Sequence, residues 1–372
     1  MRESIPLVDL KEQYVSLSDE IEAAVRDVLA SGIYVGGPQV AGFEEEFARY
    51  SGASHCVGIS CGTEALRLTL LACGVEPGSE VILPAFTFIA TAEVVTQIGA
   101  TPVFTDIDPE SYCLQLREVE RKITPKTAAI LPVHLYGHPA DLDPIVELAD
   151  SRRIPVIQDA CQAHGALYRG KKLAEMGSAT CFSFYPSKSL GACGEGGAVV
   201  TGDGEIAQRI RMLRDHGQRE RYDNEFEGYN ARLHAIQACI LRVKLRKLEE
   251  WIRLRRQAAS RYDRLLEDLP VTVPREQRDC RHTYSLYVIR TEVRDLLLEA
   301  LRSRGIGSAI HYPTPLHLLT PYRKLGHRQG AFPESEEAAR TVLSIPLFPE
   351  IHPDAQERIA KCIRETVSPN SR

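Results

Sequence analysis

The sequence predicts an α/β protein in which a large domain, residues 1–248, carries a mostly parallel seven-stranded sheet and a smaller α+β domain, residues 249–372, follows it. Three observations carry this reading. Short apolar runs alternate with helix-patterned stretches through the first two thirds of the chain, the runs are apolar at successive positions as strands buried on both faces require, and the pattern changes beyond Pro270.

The start of the chain reads as a helical segment. "HCVGIS" then precedes "TEALRLTLLACG", "EVILP" precedes "FIATAEVVTQIG", "TPVFTDI" leads to a helix, and "AAILPVHLY" leads to "DPIVELADSRR". "IPVIQDA", "ATCFSFY" and "GGAVVTG" complete about seven strands. From Leu233 to Leu269 the apolar spacing predicts one long helix that enters the smaller domain. There "YSLYVIR", a helix "VRDLLLEALRSRG", the run "IGSAIHY" and a helix near Glu334 to Leu343 are expected.

Composition narrows the function. The formal net charge is -5, so the chain lacks the basic surplus of a nucleic-acid binder. No stretch approaches an apolar span of about 20 residues and the start has no apolar segment behind a basic head, so we expect a cytoplasmic protein with no membrane partner. The 10 cysteines form no C-x-x-C pair, which favours reduced, packed thiols and no metal site.

Ligands of open parallel sheets collect at the carboxyl ends of the strands. Four groups are expected there. "SCGTEAL" opens a helix, so the amides of Gly62 and Thr63 can meet a phosphate; equally, Thr63 reads as a plain helix cap with Glu64 in the first turn. Asp159 ends "PVIQD" with Gln162 three residues on, either as a carboxylate for a ligand or as a second cap. Phe88 in "FTFIA" is placed to stack on a flat ring or to fill core. Lys188 follows Ser183 in "FSFYPSKSLGACGEGGAVV", either as a solvated loop residue or as an amine kept neutral by apolar walls and able to attack an aldehyde. The glycines behind it admit a cofactor or the chain itself.

Phosphate anchor, aromatic plate, carboxylate and amine together fit pyridoxal 5′-phosphate, whose ring nitrogen must stay protonated, a task Asp159 suits. "GTEAL", "LPAFTFIATA", "PVFTDIDP", "LPVHLYGHPADLDPI", "IQDACQAHGA", "CFSFYPSKSLGACGEGGAVVT", "RMLRDHGQ", "GYNARLHAIQACILRVKL" and "GIGSAIHYPTPLHL" resemble, in order, segments of the DegT-type nucleotide-sugar aminotransferases of fold type I.

The resemblance implies that Lys188 holds the cofactor as a Schiff base and shuttles a proton, that Asp159 pairs with the ring nitrogen and that Gln162 lies by the phenolic oxygen. It implies Gly62, Thr63 and Ser183 as phosphate ligands, Phe88 as the stacking plate, and Asn230 of "GYN" as a phosphate ligand donated across a homodimer. Tyr34, His311 and Tyr312 match loops that line the sugar-nucleotide pocket, and Tyr185 faces the substrate or packs in the core. Cys61, Cys161 and Glu195 depart from the commonest residues at their positions without removing a catalytic group; both cysteines fall near the cofactor, where thiol sensitivity or simple packing follows.

The activity implied is amino transfer from glutamate to the keto group of a nucleotide-linked sugar, by way of pyridoxamine 5′-phosphate. "QAHGA" leans toward a dTDP-3-keto-6-deoxyhexose. Rival readings are a 4-keto sugar, a cyclitol, or a regulator that binds the cofactor without turnover; a cysteine desulfurase would need a mobile cysteine loop that is not recognisable here.

Overall fold

The computed structural model describes residues 4–368. Its central strands are β1 (His55–Ile59), β2 (Glu80–Pro84), β3 (Thr101–Thr105), β4 (Thr127–Ile130), β5 (Ile157–Asp159), β6 (Ala179–Ser183) and β7 (Gly197–Thr201). Ladders join β1-β7-β6-β5 and β3-β2-β4. Parallel bridges Ile130↔Val156 and Val133↔Asp159 connect β4 to β5, giving one sheet ordered β3-β2-β4-β5-β6-β7-β1. Only β7 runs antiparallel, to both β6 and β1. Its first residue, Gly197, therefore lies between the last residues of its neighbours, Ser183 and Ile59.

Both faces of the sheet are covered. Helix Gly62–Ala72 lays Leu66 and Leu70 with Val57, Val81 and Leu83 on one face. Helix Gly37–Ser51 lays Phe43 and Phe47 with Phe182, Phe184 and Leu241 on the other, where Phe47 meets Phe182 and Phe184 edge-on at 5.1 and 5.2 Å. Beneath the strand ends, His134 accepts a hydrogen bond from Ala140 N at Nδ1, 2.9 Å, so its Nε2–H donates to Gln158 Oε1, also 2.9 Å.

The expected helix from Leu233 to Leu269 is instead two, Ala235–Leu245 and Leu248–Leu266. The first packs on helices Ser18–Ser31 and Gly37–Ser51 and the second on Pro353–Val367. Tyr262 and Leu266 then join β8 (Tyr287–Arg290), β9 (Val342–Ile345), Leu297 and Ile359 in a separate core. Val342 and Leu343, expected at a helix end, belong to β9, because helix Pro333–Thr341 stops there and Val342 is extended. "IGSAIHY" pairs only through single bridges, Ile5↔Ile306 and Ala309↔Ser344, and Ile5 packs in this C-terminal core. Among the described residues no helix is long and apolar enough to cross a membrane, and no cluster of potential metal ligands occurs.

Phe47→Ala should cost about 3–5 kcal/mol in urea unfolding because the aromatic cluster cannot close the gap, whereas Leu296→Ala, on an exposed position, should stay within about 0.5 kcal/mol. Burial pushes His134 down to about 4, opposed by its bond to Gln158. The unfolded chain takes up that proton near the ordinary histidine value of 6.5 while the folded chain does not, so stability should fall as pH drops from 6.5 toward 4, by about 1.4 kcal/mol per pH unit for such a group. An unchanged urea midpoint between pH 7 and 5 would contradict this.

Candidate active site

Four pieces of chain converge on the carboxyl edge of β1, β5, β6 and the start of β7. After β1, helix Gly62–Ala72 begins against Ser183. A Cβ on Gly62 would stand 2.6 Å from Ser183 Cβ, and one on Gly197 would stand 2.5 Å from the Cys61 carbonyl carbon. Glycine at these two positions thus lets the helix end, the end of β6 and the start of β7 close into one cup. Unsatisfied amides and the positive end of a helix dipole make such a cup suited to an anion. The cap is Cys61, whose Sγ accepts from Glu64 N at 3.5 Å, so the plain-cap reading of Thr63 does not hold.

Asp159 is 6% exposed and its carboxylate is fixed: Oδ2 accepts from Thr91 Oγ1 at 2.9 Å and Oδ1 from Cys161 N at 3.1 Å. No helix starts after it, which removes the second-cap reading. Gln162 Oε1 accepts from Tyr136 N at 2.7 Å and its Nε2 donates to Tyr312 Oη at 3.0 Å. Tyr136 in turn donates from its hydroxyl to the His311 carbonyl.

Lys188 sits on a turn closed by its own N–H to Tyr185 O, 2.9 Å. Burial lowers its amine below the ordinary lysine value, with Cys161 and Asp159 pulling partly the other way. The glycines behind it serve the chain itself. A Cβ on Gly191 would lie 2.3 Å from Pro186 O, and Gly196 and Gly194 press on Phe184 and Gln237. The Asp159 carboxylate lies close enough to act on the Lys188 amine, and Phe88, 52% exposed, packs at 5.7 Å on the Tyr312 ring.

The arrangement fits pyridoxal 5′-phosphate on three counts: a cup that side chains would fill, a desolvated amine, and an anchored carboxylate across from it. Burial and then the Asp159 charge push the Cys161 thiol well up, which makes it a packed thiol rather than a nucleophile.

Other expected residues lie less centrally. Tyr185 is half exposed, its N–H bound to Ser183 Oγ at 3.3 Å. Tyr34 is exposed, with its carbonyl on Ala235 N. Asn230 is exposed and its Oδ1 accepts from Arg232 at 2.7 Å; among the described residues no hydrogen bond joins it to Gly62, Thr63 or Ser183.

Residues 15–364 match the DegT/DnrJ/EryC1/StrS aminotransferase family. The chain belongs to that family. This aminotransferase is 45% identical over 97% of its length to the erythromycin biosynthesis sensory transduction protein EryC1 of Saccharopolyspora erythraea, covering 99% of it. It is 44% identical to the dTDP-3-amino-3,4,6-trideoxy-alpha-D-glucose transaminase of Streptomyces venezuelae, over 97% of this chain and 96% of that protein. The crystal structure of S. venezuelae DesV in complex with a ketimine intermediate superposes with a TM-score of 0.95 at 44% identity, covering 97% of this chain and 98% of that one. Other solved relatives are in cofactor-bound forms, with PLP or PMP.

Sequence reasoning missed Thr91 and Tyr136. Thr91 opens the helix after β2, and nothing local ties it to a carboxylate 68 positions away. Tyr136 follows the β4 end, where its left-handed backbone, φ 59°, aims N–H at Gln162. The Thr91→Val aminotransferase should fold normally but lose about tenfold or more in turnover, because a hydrogen bond to a charged group is worth about 1.5–3 kcal/mol. Steady-state kinetics with unchanged circular dichroism would check this.

Proposed function

We propose that this chain transfers an amino group from glutamate to the keto carbon of a nucleotide-linked sugar, with a dTDP-3-keto-6-deoxyhexose as the favoured substrate. The observations that carry the reading are the desolvated Lys188 amine under the influence of the anchored Asp159 carboxylate and the Gly62–Ser183–Gly197 cup. Similarity over nearly the whole chain to a dTDP-sugar transaminase supports the substrate class.

When bound, pyridoxal 5′-phosphate supplies an aldehyde for amines and a ring that stores the electron pair released on C–H cleavage. The residues of this chain divide the remaining work. Gly62, Thr63 and Ser183 offer donors to the phosphate. Asp159, oriented by Thr91 and the Cys161 amide, holds a proton on the ring nitrogen. Phe88 offers an exposed ring on which the cofactor would stack, and Gln162, bonded to Tyr312, would lie by its phenolic oxygen. Lys188 Nζ, its charge disfavoured by burial, takes the proton from the donor carbon and returns it to the sugar carbon. The large domain, residues 1–248, thus holds the cofactor, while the smaller domain, residues 249–372, brings His311 and Tyr312 to the sugar with Tyr34 and Tyr185. Asn230, exposed and beside Arg232, completes the phosphate site of a partner subunit in a homodimer.

A cofactor-binding regulator is the second reading, favoured by the printed name of the EryC1 relative. Incubating the protein with glutamate and a panel of dTDP- and UDP-linked 3-keto and 4-keto sugars, plus a keto cyclitol, and reading products by mass separates these. Mass gain on the 3-keto dTDP sugar supports our reading; cofactor binding with no product from any acceptor overturns it. Lys188→Ala should abolish transfer and the borohydride-fixed cofactor mass at that peptide, and Asp159→Asn should slow proton removal severely while leaving the cofactor bound. Mixing Lys188→Ala with Asn230→Ala subunits should restore activity in hybrid dimers, since one site then keeps both groups. No gain on mixing would show that Asn230 acts within its own subunit or not at all.

A further inference from the structure

His311 makes two contacts that together decide where its ring proton sits. Its Nδ1 lies 2.8 Å from Ser344 Oγ, on β9. Ser344 is fully buried, and among the described residues its hydroxyl has no hydrogen-bonding partner other than this imidazole. If Nδ1 carried the proton, the hydroxyl would accept it and its own hydrogen would be sealed in the core without an acceptor, an arrangement proteins rarely tolerate. The hydroxyl therefore donates to Nδ1, and the proton of the neutral ring lies on Nε2.

The Nε2 atom has no partner among the described residues and is not sealed in the core, and the ring lies close enough to Lys188 to feel its charge. The backbone holds it there. The His311 carbonyl accepts from the Tyr136 hydroxyl, and the next residue, Tyr312, is bonded through its hydroxyl to Gln162 beside Asp159. Burial and the Lys188 charge lower His311 to about 4, so the ring is neutral at working pH.

We infer that Ser344 is a positioning residue that fixes His311 as the Nε2–H tautomer, so that His311 gives one neutral hydrogen bond to an oxygen of the sugar beside the carbon that receives nitrogen. This rests on the proposed sugar amination for the identity of the acceptor; the tautomer itself does not. A neutral donor suits that place. An imidazolium would add a positive charge next to Lys188 and oppose protonation of its amine, whereas an acceptor-only nitrogen would offer a carbonyl nothing.

The test has two arms. Long-range 1H–15N correlation on the 15N-histidine-labelled protein, with His311→Gln assigning the signal, should report a proton on Nε2 in the wild type and a shift toward Nδ1–H in Ser344→Ala. A wild-type proton on Nδ1 would overturn the inference whatever the enzyme's substrate. In kinetics, Ser344→Ala and His311→Leu should each lower kcat/KM for the keto sugar on the order of tenfold, the loss of one neutral hydrogen bond. Ser344→Thr, which keeps the hydroxyl, and His311→Gln, whose amide N–H reaches a similar point, should recover most of the loss. Equal keto-sugar kinetics in His311→Leu and wild type would overturn the role of His311 while leaving Lys188 untouched. Failure of the glutamate half-reaction in the wild type would instead count against the aminotransferase reading and leave the tautomer arm standing.

Discussion

An amine taken out of water next to a carboxylate is the constraint on which the rest of this structure depends. Lysine resists burial because its charged form loses hydration, and the amine responds by holding its proton less tightly. Such a group is useful only if its surroundings do not relax toward water. Here they are held by a sheet edge whose three adjacent positions, Ile59, Gly197 and Ser183, are locked in register because β7 runs against both neighbours. That single antiparallel strand brings a strand start to an edge otherwise made of strand ends, and its glycine leaves room for the helix that follows β1.

The carboxylate across from the amine obeys the same logic with the opposite sign. A buried anion with no donors would take up a proton or draw in water. Thr91 and the Cys161 amide each occupy one oxygen of Asp159, so the charge is satisfied and its direction set before any ligand arrives. Neither donor is charged. The negative charge therefore remains available to a cationic ring nitrogen, which a neighbouring arginine would have neutralised.

Much of this was legible in the sequence, for a physical reason. Strands buried on both faces leave continuous apolar runs, and a charged residue at the end of such a run, as Asp159 is, or on the turn just past it, as Lys188 is, contrasts with its surroundings within a few positions. What acts across long separations leaves no such mark. Thr91, Tyr136 and Ser344 look like ordinary helix, turn and strand residues until the fold sets them against Asp159, Gln162 and His311. The split at Arg246 and Lys247 was hidden because the helical pattern continues through it. The alternative reading of Thr63 as a cap fails because Cys61, two residues before it, takes that place.

The links between the two cores bear on how such a site can change its substrate. Gln162 touches Tyr312 and Tyr136 touches the His311 carbonyl, so the strand ends of the sheet hold the backbone and one ring of the C-terminal segment. The His311 ring, by contrast, is oriented from β9, within the C-terminal core. Position is thus set from one side and donor chemistry from the other. On the proposed reading, a change at Ser344 or His311 alters recognition of the acceptor while the bonds of Asp159 to Thr91 and Cys161 and the Lys188 turn on Tyr185 stay in place. Separation of this kind lets the proton-transfer centre stay constant while recognition of the acceptor sugar varies, because the two depend on different hydrogen bonds.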